Sequence, residues 1–295
     1  MRLRSLLFVP GDSPRKFEKA SASEADALIL DLEDAVAPCN KPASRAHVAA
    51  LLAARTAHSW SFFVRINALD TGLALADLIA IVRPGLDGIL LPKANGAQDI
   101  IQLAHYLDIL EAQAGIPEGT IKILVVSTET PAAMFALGSY TPAHRRLIGL
   151  TWGAEDLAAA IGATDNKDSH GHWRFPYQIA RAQCLFAAAA AGIAPIDTLY
   201  ADFRDQDGLA ADCKTARQDG FTGRIAIHPD QVAIINHCFT PSETDIAHAK
   251  RIVAAFTAQP DAGTLGIDGK MYDIPHLKAA QKTLAAAGIS QGDIS

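Results

Sequence analysis

Eight short apolar runs, each followed by a longer stretch of helical period, constrain the fold of this chain more than any other feature of its sequence. They occupy residues 5–10, 28–33, 62–67, 88–92, 121–129, 147–152, 198–203 and 224–228. Helical segments fall between them at 14–22, 41–55, 73–82, 97–114, 131–137, 176–191 and 209–219, several opening on a proline near the first turn, as helix starts prefer. Alternating strands and helices are the rhythm of repeated βα units and a parallel sheet. Eight such units suit an α/β TIM (β/α)8 barrel over residues 1–240. After His228 the pattern changes to an amphipathic helix at 244–258, a Gly-rich loop at 261–270 and a last helix from Pro275. Residues 241–295 are therefore expected to form a C-terminal helical extension.

Composition removes several function classes. A net charge of −6 argues against a basic face for nucleic acid. Cys39, Cys184, Cys213 and Cys238 are scattered without a C-x-x-C pair, which reads as free thiols in a reducing compartment rather than a disulfide framework or zinc site. The apolar start stops at Pro10-Gly11-Asp12, too short for a signal peptide, and the Ala-rich run 185–196 is too short to span a bilayer. A cytoplasmic protein with neither membrane nor nucleic-acid partner is expected. The Gly-rich stretch 263–269 lacks the G-K-[ST] ending of a P-loop.

In a parallel barrel, polar residues at the C-terminal strand ends face the active site. Here those ends carry Asp31, Glu33 and Asp34, then Arg65 and Asn67, then Lys93, Glu129, Gly153-Ala-Glu-Asp156, Asp202 with Arg204, and His228. Charged groups beside apolar strands are costly to desolvate unless they pair or bind an ion. Mg²⁺ typically takes one or two protein carboxylates, with water and substrate filling its octahedron. Glu129 and Asp156 supply such a pair, leaving open positions for the carboxylate and keto oxygen of a 2-oxo acid. The planar fork of Arg65 suits that carboxylate, as do the backbone N–H groups of Gly153, Ala154 and Glu155 before a helix. Asp31, Glu33, Asp34 and Lys93 read as residues that orient these groups. Plainer readings stand beside these: Glu129 and Asp156 as helix caps, Arg65 in a structural salt bridge, His228 as a hydrogen-bonding residue, and His170 with His172 in a polar loop.

The segments Leu6-Leu-Phe-Val-Pro-Gly11, Leu30-Asp-Leu-Glu-Asp-Ala-Val36, Val64-Arg-Ile-Asn67, Leu91-Pro-Lys93, Thr128-Glu-Thr130, Gly153-Ala-Glu-Asp156, Tyr200-Ala-Asp-Phe-Arg-Asp205 and Gly220-Phe-Thr-Gly-Arg-Ile-Ala-Ile-His-Pro-Asp-Gln231 resemble the citrate lyase β-subunit-like family of the HpcH/HpaI aldolase group. That group includes malyl-CoA and citramalyl-CoA lyases. The resemblance implies a TIM barrel, Mg²⁺, and reversible cleavage of a 3-hydroxyacyl-CoA thioester to a 2-oxo acid such as pyruvate or glyoxylate and acetyl-CoA. It implies Glu129 and Asp156 as metal ligands and Arg65 as the carboxylate-binding arginine, and it sets Phe8, Arg15 and Lys19 near coenzyme or substrate. Arg15 and Lys19, four residues apart, share a helix face and could meet phosphates together. The tail Gly269-Lys-Met-Tyr-Asp273-Ile-Pro275 resembles that of stand-alone CoA-ester lyases, in which an aspartate completes a neighbouring subunit's site as acid or base. A homotrimer, or a hexamer of two trimers, follows from that resemblance. Asp273 also reads as a cap of the helix that follows it. Two features depart from the family pattern: Arg224 where relatives often have lysine, and the insert at 165–174, a candidate for shaping substrate choice. Three alternatives remain: a citrate lyase β subunit acting on a carrier-bound citryl thioester, a synthase or thioesterase releasing free CoA, and a barrel retained only for binding.

Overall fold

The computed structural model describes residues 1–289. Its chain divides into two compact units, 1–236 and 237–295. The last six residues of the extension expected at 241–295 lie outside the described residues.

The first unit is a closed barrel of eight parallel strands in sequence order. The strands are β1 (Ser5–Pro10), β2 (Ala27–Asp31), β3 (Ser61–Arg65), β4 (Gly88–Leu91), β5 (Lys122–Val126), β6 (Leu147–Thr151), β7 (Ala194–Asp197) and β8 (Gly223–Ala226). Closure comes from β1 pairing with β8, with Ser5, Leu6 and Leu7 opposite Arg224, Ile225 and Ala226. The helices α1 (Pro14–Ser21), α2 (Lys41–Ala53), α3 (Ala74–Ile81), α4 (Ala97–Ala114), α5 (Pro131–Ala136), α6 (Glu155–Ile161), α7 (Phe175–Ala191) and α8 (Gln206–Asp219) fall between the strands, and α9 (Asp230–Phe239) follows β8. Strands covered on both faces read as continuous apolar runs, which is why β2 and β4 are buried throughout.

Alternation along each strand then positions the chemistry. Leu6, Ile29, Phe63, Leu90, Leu124, Ile196 and Ile225 belong to one buried cluster, with Ile148 of β6 packed against it. Gly88 makes room for the Phe63 ring, since a Cβ there would lie 2.1 Å from it. Side chains two residues on share the same face, so Phe8, Asp31 and Arg65 sit directly above Leu6, Ile29 and Phe63 at the C-terminal mouth.

Several expected boundaries are corrected. The strand read at 198–203 lies earlier, at Ala194–Asp197, and the later segment turns back on itself through Phe203 N–H to the Ala201 carbonyl and Asp205 N–H to the Asp202 carbonyl. Pro195 disguised the true strand, because proline cannot donate to a ladder and argues against a central position. Here the Pro195 carbonyl accepts from Thr222 N–H, so only its acceptor is used. Asp202 and Arg204 consequently lie on an exposed turn beyond β7 rather than at its end. Helix α9 was not expected, although its buried Val232, Ile235 and Phe239 have helical spacing.

In the second unit, α10 (Glu243–Ala258) opens on a capping box between Ser242 and Asp245. The segment expected as a Gly-rich loop is instead a hairpin of β9 (Thr264–Ile267) and β10 (Lys270–Asp273). Its turn residues Asp268 and Gly269 have φ of 51° and 74°, and Asp-Gly is a residue pair that accepts two left-handed positions in succession. The last helix is α11 (Ile274–Ala286), and Ile252, Val253 and Phe256 of α10 share a core with Ala280 and Leu284 of α11.

Candidate active site

Arg65 anchors the mouth of the barrel. Its Nε and Nη2 donate to the two oxygens of Asp31 at 2.7 and 2.6 Å, its Nη1 lies 2.9 Å from Glu33 Oε2, and its guanidinium sits 4.8 Å from the centre of the Phe8 ring. Burial alone would lower the arginine pKa, but the Asp31 hydrogen bond and the charges of Asp31, Glu33 and Glu129 raise it, so the cation is permanent. A guanidinium has five N–H donors. Two are engaged in the hydrogen bonds to Asp31, and Nη1 meets Glu33 only as an ion pair, which leaves donors on Nη1 and Nη2 for a ligand.

Lys93 is the second cation. Its backbone lies in the left-handed region, φ 51°, which is uncommon for a residue with a side chain. This turn aims its N–H at Glu129 Oε2, 2.6 Å away, while its ammonium reaches Glu33 at 2.5 Å, Asp34 at 3.2 Å and Asp156 at 3.3 Å. Glu129 is buried and close-packed: a Cβ on Gly153 would fall 2.9 Å from its Cγ. Burial, with the charges of Asp156 and Glu33, outweighs the Lys93 N–H bond and pushes the Glu129 carboxyl up to about 8. Glu33 is also raised, again by burial, against the pull of Arg65 and Lys93.

A raised carboxyl favours the protonated folded state. In metal-free protein, the stability that Glu129 contributes is whole below the ordinary carboxylate value and is lost as pH rises toward about 8. Melting temperatures in a chelator should therefore fall from about pH 5 to 8 relative to Glu129→Gln. Parallel curves for the two proteins would show that burial does not disfavour the Glu129 carboxylate.

Asp156 lies within the first turn of α6, beyond the N-cap position at Ala154, so the capping reading for it does not hold. Glu155 is in that same first turn, and Gly153 N–H is taken by Thr128 Oγ1 at 3.2 Å. Glu129 does not cap α5 either; Thr130 does, accepting from Ala133 N–H.

Phe8, Asp31 and Arg65 also line a cavity of about 610 Å³ that continues to Lys16, Lys19 and His228. Of the two basic α1 residues singled out in sequence, Lys19 lines this cavity and Arg15 is exposed outside it. Lys16 takes the place expected for Arg15; three residues from Lys19, it shares a helix face with it as Arg15 does, so spacing gave no signal to choose between them. The His228 ring stacks on Phe203 with centroids 4.5 Å apart.

Arg224 is fully buried and faces the helical layer, meeting Asp197 of β7 at 2.8 Å and Asp212 of α8 at 2.5 Å. Its guanidinium is thus committed to structural pairs. In the insert at 165–174, Lys167 lies 4.4 Å from the Trp173 ring, and Trp173 meets Trp152 edge-on at 5.1 Å. In the second unit Asp273 N-caps α11, accepting from His276 N–H, and the His276 side-chain contact holds its carboxyl below the usual range. Among the described residues, no group of three or more His, Cys, Asp or Glu side chains is arranged to hold a metal, and no helix is long and apolar enough to cross a membrane.

Comparison with known proteins places the chain among its relatives. The β subunit of citrate lyase from Haemophilus influenzae is 33% identical over 286 residues, covering 96% of each chain. A (3S)-malyl-CoA thioesterase from Cereibacter sphaeroides is 36% identical over 286 residues, covering 96% of this chain and 94% of the relative. The crystal structure of CitE from Mycobacterium tuberculosis in complex with magnesium, acetoacetate and coenzyme A superposes with a TM-score of 0.78 at 32% identity, covering 97% of this chain and 98% of that one. Residues 4–229, the barrel almost entire, match the HpcH/HpaI aldolase/citrate lyase family, and the chain belongs to it.

Proposed function

We propose that this protein is a magnesium-dependent carbon–carbon lyase that reversibly cleaves a 3-hydroxyacyl-CoA such as citramalyl-CoA or malyl-CoA into a 2-oxo acid, pyruvate or glyoxylate, and acetyl-CoA. The observation that carries this reading is the juxtaposition at one barrel mouth of Arg65, with donors to spare, and the carboxylates of Glu129 and Asp156. Glu129 suits a cation ligand because its ionised form is buried and opposed by the charges of Asp156 and Glu33, a repulsion that a divalent ion relieves. Glu129 and Asp156 would hold the ion, and when bound it supplies Lewis-acid polarisation of the keto-acid oxygens.

The chain's own residues do the rest. Arg65, held by Asp31 and Glu33, receives the substrate carboxylate in a fixed orientation and stabilises charge that develops on the oxyanion. Phe8 and the apolar wall beside it exclude water, and Lys16 and Lys19 at the cavity edge suit coenzyme phosphates. Asp273 of a neighbouring subunit would protonate the carbon of the departing thioester enolate and remove that proton in synthesis. The functional unit is then a homo-oligomer, a trimer or a hexamer of two trimers, whose extension completes the barrel next to it.

The test is to supply purified protein with Mg²⁺ and, separately, malyl-CoA and citramalyl-CoA, following 2-oxo acid, acetyl-CoA and free thiol. Magnesium-dependent oxo acid and acetyl-CoA in equal amounts, without free thiol, is the expected result. Release of free CoA would favour a thioesterase outcome, a reading supported by the relative of that name. No cleavage of either free CoA ester, with turnover of a carrier-bound citryl thioester, would replace the proposal with a citrate lyase β-subunit role.

A further inference from the structure

We propose that Lys93 sets the affinity of this site for its cation: its ammonium serves as an internal counter-ion that competes with the metal, while its left-handed backbone holds a ligand in place. The inference rests on the reading of Glu129 and Asp156 as cation ligands. It is carried by the reach of one residue. The ammonium contacts Glu33, Asp34 and Asp156 at 2.5, 3.2 and 3.3 Å, and the N–H of the same residue binds Glu129 at 2.6 Å. Lys93 therefore touches both proposed ligands, one through each of its two groups.

The two devices act in opposite directions. Five carboxylates, those of Asp31, Glu33, Asp34, Glu129 and Asp156, are gathered around the side-chain cations of Arg65 and Lys93. Arg65 is tied to Asp31 by two hydrogen bonds, whereas the Lys93 side chain is about one-quarter exposed and its partners Asp156 and Asp34 are more exposed still. The less enclosed positive charge at the carboxylates is thus that of lysine, and it weakens the pull on any incoming ion. The backbone device works for the ion instead. A φ of 51° turns the N–H toward Glu129 and fixes where that carboxylate can point. Balanced in this way, the site would hold a cation weakly until an oxo acid adds its own oxygens, which couples metal binding to substrate.

Glycine separates the two devices, because it accepts a positive φ, keeps the N–H and lacks the ammonium. Titration calorimetry of chelator-treated protein with Mg²⁺ alone should show Lys93→Gly binding at least about ten-fold more tightly than wild type. Magnesium should also raise its melting temperature more than that of wild type. Lys93→Ala also removes the charge but resists the left-handed turn, and should bind more weakly than Lys93→Gly. A purely structural lysine predicts the reverse of the first result, since its loss would loosen the ligands. Equal or weaker Mg²⁺ binding by Lys93→Gly, with wild-type binding abolished by Glu129→Gln, would overturn the proposal and leave the cation reading intact. Absence of wild-type binding, with Mg²⁺ alone or with pyruvate present, would overturn that reading and the proposal with it.

Discussion

Asp197→Ala is expected to lose about 3–5 kcal/mol of folding stability, the range for removing one partner of a buried ion pair. Asp197 is 1% exposed at the end of β7, and its carboxylate accepts from Trp152 Nε1 at 2.6 Å, Arg181 Nη2 at 3.0 Å and Arg224 Nη2 at 2.8 Å. Burial by itself would raise its pKa, yet Arg224 and Arg181 together hold it below the ordinary value, so the charged form is the one the fold stabilises. Its contribution is present above the ordinary aspartate range and is lost only as pH falls through the lower folded value. Alanine would leave Arg224, itself 1% exposed, with Asp212 as its one remaining ion-pair partner among the described residues. Urea unfolding at neutral pH measures the loss, and adding Arg224→Met to Asp197→Ala should recover part of it by removing the stranded charge. A change below about 1 kcal/mol would mean that water or Asp212 satisfies Arg224 without Asp197.

That network also marks where sequence reading reached its limit. Arg224 stood out as a departure from the family pattern, but its role was settled by side-chain alternation: Ile225 joins the inner core, so Arg224 faces the helices and finds Asp197 and Asp212. The barrel itself was legible because seven of its eight strands coincide with apolar runs, most of them shorter than the run that announced them. The runs extend past the ladder because the first loop residues, such as Leu32 and Ile66, remain buried after strand pairing has ended. Strand β7 escaped because four residues containing a proline carry too little pattern. The second unit's hairpin had a readable sign in Asp268-Gly269, which composition alone reduced to a loop.

The site divides in the same way. Asp31 and Arg65 could be paired from neighbouring strands, and register places them opposite each other. The bond from Lys93 N–H to Glu129 was not legible, because nothing in the residue type announces a left-handed lysine. Nor could spacing decide which basic residues of α1 face the cavity, since Arg15 and Lys16 each share a face with Lys19 and only packing sets the rotation of the helix.

Asp273→Asn is expected to lower turnover of the CoA thioester by about 10²–10⁴-fold, the usual weight of a general acid or base, with little change in melting temperature. The substitution separates the two readings of this residue. Asp273 N-caps α11 through His276 N–H, and asparagine caps a helix about as well as aspartate. The cap therefore survives while the transferable proton does not. A His276 contact that holds the carboxyl low suits a base that is ionised before synthesis, whereas cleavage starts from the acid form, which that contact disfavours. Turnover within a few-fold of wild type would leave Asp273 as a helix cap alone. Where the residue acts is tested by mixing. Asp273→Asn chains and Arg65→Met chains, each inactive, are unfolded together and refolded. If barrel and tail must come from one chain, no site in the mixture has both Arg65 and Asp273, and activity stays at the level of the parents. If the tail serves a neighbour, an Asp273→Asn barrel with intact Arg65 receives an intact aspartate from an Arg65→Met chain, and a sizeable fraction of wild-type activity returns. Recovery on mixing would therefore make oligomerisation part of the catalytic mechanism, and its absence would confine each site to a single chain.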